Sequence, residues 1–254
     1  MRRRELVLLG FASLVSGPLA AAVKKAAPQA TPRVVINHAG QLAMHAERIG
    51  KYWMQMGVGI DVQRAGLHLQ DSTRAFGQLF AALGRSVHGE QMLLIEQRWR
   101  VYRMAWGAKP APEGVRRVAS LAQDLGEQGM QFVNQLAKAQ ASDEARRLAD
   151  ASEARMLTQR MARIALMRQW SQAAPDASLQ LDQMRKTFSD RLDSLNADTG
   201  LPDAAKGDLQ LARQQWAFLN QALATKEDLK AITQAANLAE RERELLDSFC
   251  GHIA

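Results

Sequence analysis

From Pro32 onward apolar residues return every three or four positions, the period of one buried face of an α-helix. The spacing predicts a first helix from Pro32 or Val34 to about Met56, closed by Gly57 and Gly59. A second, over about 61–83, carries Leu67, Leu69, Phe76, Leu79, Phe80 and Leu83 as one stripe, and Gly84 stops it. A third, over about 89–106, carries Met92, Leu93, Ile95, Trp99, Tyr102, Met104 and Trp106. After the 107–112 break, Pro112 suits the first turn of a fourth helix, where its missing N–H has no partner to lose. That helix uses Val115, Val118, Leu121, Leu125, Phe132, Val133 and Leu136. Ser142 caps a fifth reaching about Ala173, and Asp176 caps a sixth reaching about Leu195. Pro202 opens a seventh with Leu209, Leu211, Trp216, Phe218 and Leu219, and Thr225-x-x-Asp228 caps the last.

The eight segments fall into two sets of four. Shifting the chain by 112 positions (151 − 39) pairs Ala39 with Ala151, Met44 with Met156, Arg48 with Arg160 and Lys51 with Arg163. The same shift pairs Leu69 with Leu181, Phe76 with Phe188 and Leu83 with Leu195, and keeps small residues at Gly40 and Ser152. One offset serving two separated segments is the signature of an internal duplication. The expected fold is all-α, two tandem four-helix-bundle-like repeats over residues 32–140 and 141–254.

Ahead of them, Arg2-Arg3-Arg4, an apolar run to Gly17 and Pro18-Leu-Ala-Ala-Ala22 have the form of an export signal cut near Ala22, followed by a flexible leader over 23–31. Ordinary secretion fits the segment better than twin-arginine export. The expected location is therefore periplasmic. Removing residues 1–22 takes three Arg and one Glu from the 33 basic and 26 acidic residues, leaving a net charge of +5. Those charges are interspersed along helices, which gives no support to nucleic-acid binding. After the signal no apolar run is long enough to span a membrane. Cys250, the single cysteine, reads as a small apolar side chain near the end of the last helix.

The first helix holds Ile36-Asn-His-Ala-Gly-Gln-Leu-Ala-Met-His-Ala-Glu-Arg48, and the fifth holds Ala151-Ser-Glu-Ala-Arg-Met-Leu-Thr-Gln-Arg160. These stretches resemble the opening helix of the PilJ-type family, the N-terminal sensory domain of type IV pilus methyl-accepting chemotaxis transducers, which is related to nitrate-sensor kinases. The Phe76–Leu83 and Phe188–Leu195 segments resemble the family's second helix. In the nitrate sensors the arginine before Met grips the anion from each of two facing helices. The resemblance puts that role on Arg155, whereas the equivalent position in the first copy is Ala43. A planar guanidinium suits the task because its fork meets an oxyanion with two parallel hydrogen bonds. With Ala43 in place of a second fork, two routes stay open: Arg155 meets its mate across a homodimer, or a different small acid binds with Arg155, Arg160 and Arg48 contributing. The competing reading of Arg48 and Arg160 is that they tie helices together or lay their stems over the apolar seam.

Other chemistry finds less to build on. His38 and His45 share a helical face but lack the spacing of structural zinc ligands, and the methionines fall at core spacing, so no metal or other cofactor is expected. No nucleophile elbow, phosphate-cradling loop or zincin motif occurs, and acids such as Glu47 read as surface helix pairs, here with Lys51. The sequence thus predicts a non-enzymatic, exported sensory or ligand-binding module for a small anion such as nitrate or nitrite, or a small acid, working with a membrane-bound receptor. The rival expectation is a structural or interaction protein of the cell envelope, an accessory of a pilus or chemosensory assembly.

Overall fold

A computed structural model describes residues 30–86, 89–170, 172–173, 175–225 and 228–254. The export signal and nearly all of the leader lie outside them. Among the described residues the chain is all-helical, with eight helices: α1 (Pro32–Gly57), α2 (Val62–Ser86), α3 (Glu90–Trp106), α4 (Pro112–Gln140), α5 (Asp143–Gln169), α6 (Ala177–Asn196), α7 (Asp203–Ala224) and α8 (Leu229–Ile253). None of them is long and apolar enough to cross a membrane.

Capping chemistry sets several starts. Ser142 accepts from the Ala145 N–H and Asp228 from that of Lys230, while Pro112 occupies the first turn of α4. Asp176 precedes α6 but bonds the Gln180 side chain rather than a backbone N–H, and Thr225 closes α7 through the Gln221 carbonyl instead of opening α8. Gly84 does not stop α2, which runs on to Ser86. Gly59 does take the left-handed conformation at φ +80°, which lets the chain reverse between α1 and α2.

The two motif helices, α1 and α5, lie against each other at the centre. Around them α2 and α4 flank α1, α6 and α8 flank α5, α3 covers α4, and α7 covers α8. One continuous core runs through all eight helices. Residues 46–55 of α1 and 154–167 of α5 are buried without interruption, so each central helix is enclosed on every side. Close approach depends on glycine: a Cβ at Gly40 would sit 2.1 Å from Ser152 Oγ, and one at Gly129 would sit 2.9 Å from Ala43 Cβ.

The apolar stripes are partly misassigned by period alone. Leu67, Leu93, Met104, Leu211 and Phe218 are exposed, because these outer helices bury a face only on their inner side. Their inner faces hold Phe76 stacked on Trp99 at 4.0 Å and Phe188 tilted against Trp216 at 4.3 Å.

Candidate functional site

Enclosing helices that carry charge forces the charges to find partners inside, since an unpaired buried ion is costly. Two clusters result. In the first, the Glu47 carboxylate of α1, fully buried, accepts from Arg160 Nε and Arg163 Nε of α5, each at 2.7 Å. Glu127 of α4 adds a contact to Arg160 at 3.3 Å. Burial alone would push the Glu47 carboxyl up, but the Arg163 and Arg160 guanidiniums outweigh it and hold it below the usual carboxylate range. Gly126 leaves the room: a Cβ there would meet Glu47 Oε1 at 3.2 Å and Arg160 Nη2 at 3.4 Å.

The second cluster runs across α1, α8 and α5. Arg48 donates to Glu240 through Nε at 3.1 and 3.0 Å and through Nη2 at 2.7 Å, and to Ser72 of α2 at 2.6 Å. Lys51, wholly buried, donates to the same Glu240 carboxylate. Burial lowers the Lys51 ammonium to about 8, with Glu240 opposing the shift; Glu240, despite its own burial, is held well below the carboxylate range by Lys51 and Arg48. Arg243 then bridges Glu240 to Asp247, and Asp247 accepts from Arg155 Nη1 at 2.7 Å. Arg155 Nη2 donates to Asn37 Oδ1 at 2.9 Å and Ser152 Oγ at 3.2 Å, while its Nε has no partner among the described residues.

These contacts settle where the three candidate arginines lie. Arg155 is fully buried with Nη1 on Asp247 and Nη2 on Asn37 and Ser152, Arg48 holds Glu240, and Arg160 holds Glu47. Arg48 and Arg155 are linked through Glu240, Arg243 and Asp247, and Arg160 belongs to the other cluster, so the three do not converge on one point. The reading of Glu47 and Lys51 as a surface pair is corrected: both are wholly buried, and each pairs with another helix. Arg163, Glu240, Arg243 and Asp247 were missed. Glu240, Arg243, Glu244 and Asp247 follow helical spacing on α8, a pattern that usually marks a solvated face.

Remaining polar groups are mostly single. Burial pushes the His45 imidazole down to about 3 and the Cys250 thiol up to about 11, so both are neutral near pH 7. No group of three or more His, Cys, Asp and Glu among the described residues is placed to hold a metal. Glu242 of α8 is buried with neither oxygen bonded to a described residue, and burial raises its carboxyl to about 9. Comparison with known proteins finds nothing similar: no family model, no curated protein and no solved structure matches the chain.

Proposed function

We propose that this chain is an exported, non-catalytic interaction module of the cell envelope, made of two tandem PilJ-like units and docking on a membrane-bound receptor or a pilus or chemosensory component. Export rests on the form of residues 1–22. The tandem reading is supported by Gly40 and Ser152, which hold the same place in the two copies and face each other where α1 meets α5. The Phe76–Trp99 and Phe188–Trp216 ring pairs support it further, since the two phenylalanines are related by the same offset.

One observation carries the choice of an interaction role over anion sensing: both prongs of the Arg155 fork are already taken, Nη1 by Asp247 and Nη2 by Asn37 and Ser152, so the chain's own groups occupy the edge on which the resemblance would seat an external oxyanion. Capture from envelope extract, with the purified chain as bait, is expected to recover a membrane receptor or pilus component; recovery of nothing above a bait-free control removes the proposal's basis.

A second reading, sensing of a small anion or acid at Arg155, is favoured by one feature. Arg155 Nε is unbonded among the described residues, and Asp247 is about a quarter exposed, so an oxyanion displacing Asp247 would meet a prepared donor. Calorimetry with nitrate, nitrite and small carboxylates separates the readings: saturable binding lost in Arg155→Ala supports sensing and displaces the first proposal.

A further inference from the structure

A cavity of about 470 Å³ lies between α4, the C-terminal half of α5 and the start of α6, within the size range of small-molecule sites. Its wall is divided in character. Ile164 and Met167 give it an apolar side, and Arg163, Arg116 and Gln123 give it a polar one.

Arg163 is the group that asks for a ligand. It is 2% exposed, and its Nε is committed to Glu47. Its other two nitrogens are not: Nη1 has only the Met167 sulfur at 3.5 Å, and Nη2 has no partner among the described residues. Glu47 is shared between two guanidiniums, and Arg160 has Glu127 as a second acid, while Arg163 has none. Buried donors left unbonded are rare in folded proteins and call for a specific explanation. The unused edge of a guanidinium matches the two oxygens of a carboxylate. Arg116 and Asp124, both on α4, also line the cavity with opposite charges, which leaves one unused guanidinium edge for one negative charge on the guest.

We propose that this cavity binds a small amphipathic monocarboxylate, its carboxylate on the Nη1–Nη2 edge of Arg163 and its hydrocarbon part against Ile164 and Met167. The site is separate from Arg155, which pairs with Asp247 while Arg163 pairs with Glu47. Octanoate binding needs nothing from the envelope-partner reading, so it and capture of a partner are scored separately.

The test is calorimetry and thermal shift on the whole chain with octanoate, kept below its micelle-forming concentration, beside octylamine, octanol and acetate. Octanoate is expected to give saturable heat and a raised Tm, whereas the amine and the alcohol lack the charge for Arg163 and acetate lacks the chain for Met167. Arg163→Lys keeps the positive charge but loses the fork, and is expected to weaken binding about ten-fold or more, the loss typical of one charge-assisted pair. Ser120→Trp, on the exposed rim, is expected to abolish binding with the unliganded Tm unchanged, which keeps the test decisive if Arg163→Lys folds poorly. Absence of saturable octanoate binding overturns the proposal. So does equal binding of octylamine, octanol or acetate, or wild-type affinity in either variant.

Discussion

Glu47→Gln is the most informative single change. The carboxylate is wholly buried and, among the described residues, is the only acid bonded to Arg163, while Arg160 retains Glu127 at 3.3 Å and the Gln123 carbonyl at 3.5 Å. Gln keeps the shape but removes the charge, leaving two guanidiniums side by side in the interior with one surface acid between them. Breaking a buried pair from one side costs about 3–5 kcal/mol, a large share of the roughly 5–15 kcal/mol that holds a domain folded. For a chain of this size that is a Tm drop of about 6–20 °C.

Urea denaturation gives the cost directly. The variant Glu47→Leu, Arg160→Met, Arg163→Met removes all three charges and is expected to recover most of the loss, because the penalty comes from stranded cations and not from the absence of a salt bridge. The pH dependence has a definite sign. Glu47 has a folded pKa below its ordinary 4.5, so its contribution is fully present above 4.5 and is lost as pH falls through the lowered value. The gap between wild type and Glu47→Gln must therefore narrow in acid. A loss under about 1 kcal/mol at pH 7, the scale of an exposed pair, would falsify the assignment of Glu47 as the tie between α1 and α5.

Asp247→Ala strips Arg155 Nη1 of its carboxylate inside the protein; Tm should fall and should recover more with added nitrate or formate than with equal chloride, as read by thermal shift. Glu242→Leu removes a buried carboxyl with no partner among the described residues and should stabilise the fold by about 1–3 kcal/mol in urea. Because burial raises Glu242 to about 9, wild-type stability declines between 4.5 and about 9, so this gain must be larger at pH 8 than at pH 5. Gly129→Ala places a methyl 2.9–3.2 Å from Ala43 and should cost about 1–3 kcal/mol, whereas Gly77→Ala, with nothing within 4 Å, should gain about 0.5–1 kcal/mol by Tm and urea midpoint.

Helix number and order are legible in the sequence because the breaks carry strong local chemistry: Gly59, Pro112, Ser142 and Pro202 each stand at or beside a helix end. The central position of α1 and α5 is not legible from periodicity. α5 is rich in Arg, and α1 sets Glu47, Arg48 and Lys51 within one turn; by composition such stretches belong at a surface, and they are buried because Glu240 and Asp247 of α8 and Glu127 of α4 come from far along the chain to meet them. Hydrophobic pattern reports what a residue prefers alone; a paired charge can be buried by a partner that no local window contains. The candidate arginines were found for the same reason their partners were missed. The motif names them, but nothing near them in sequence names Asp247 or Glu240.

The departure at position 43 has a packing reason that can be tested. Ala43 occupies the same place in α1 as Arg155 in α5, yet the α4 backbone at Gly129 lies so close that even a methyl on that glycine would press on the Ala43 Cα at 3.0 Å. No guanidinium fits there. Around Arg155 the neighbours are Ser152, Asn37 and the Asp247 carboxylate, a polar recess in place of a close helix contact. One half thus uses tight packing where the other uses a buried ion pair, and a pair of facing forks on one shared anion cannot form within a single chain. Ala43→Arg should therefore overpack the α1–α4 contact and cost more than the roughly 1–3 kcal/mol of an added methylene, enough to show as a collapsed Tm and lost near-ultraviolet dichroism. A folded Ala43→Arg protein that gained nitrate binding would mean that α4 can withdraw, and that the hold of Asp247, Asn37 and Ser152 on Arg155 is a resting arrangement which an anion can open.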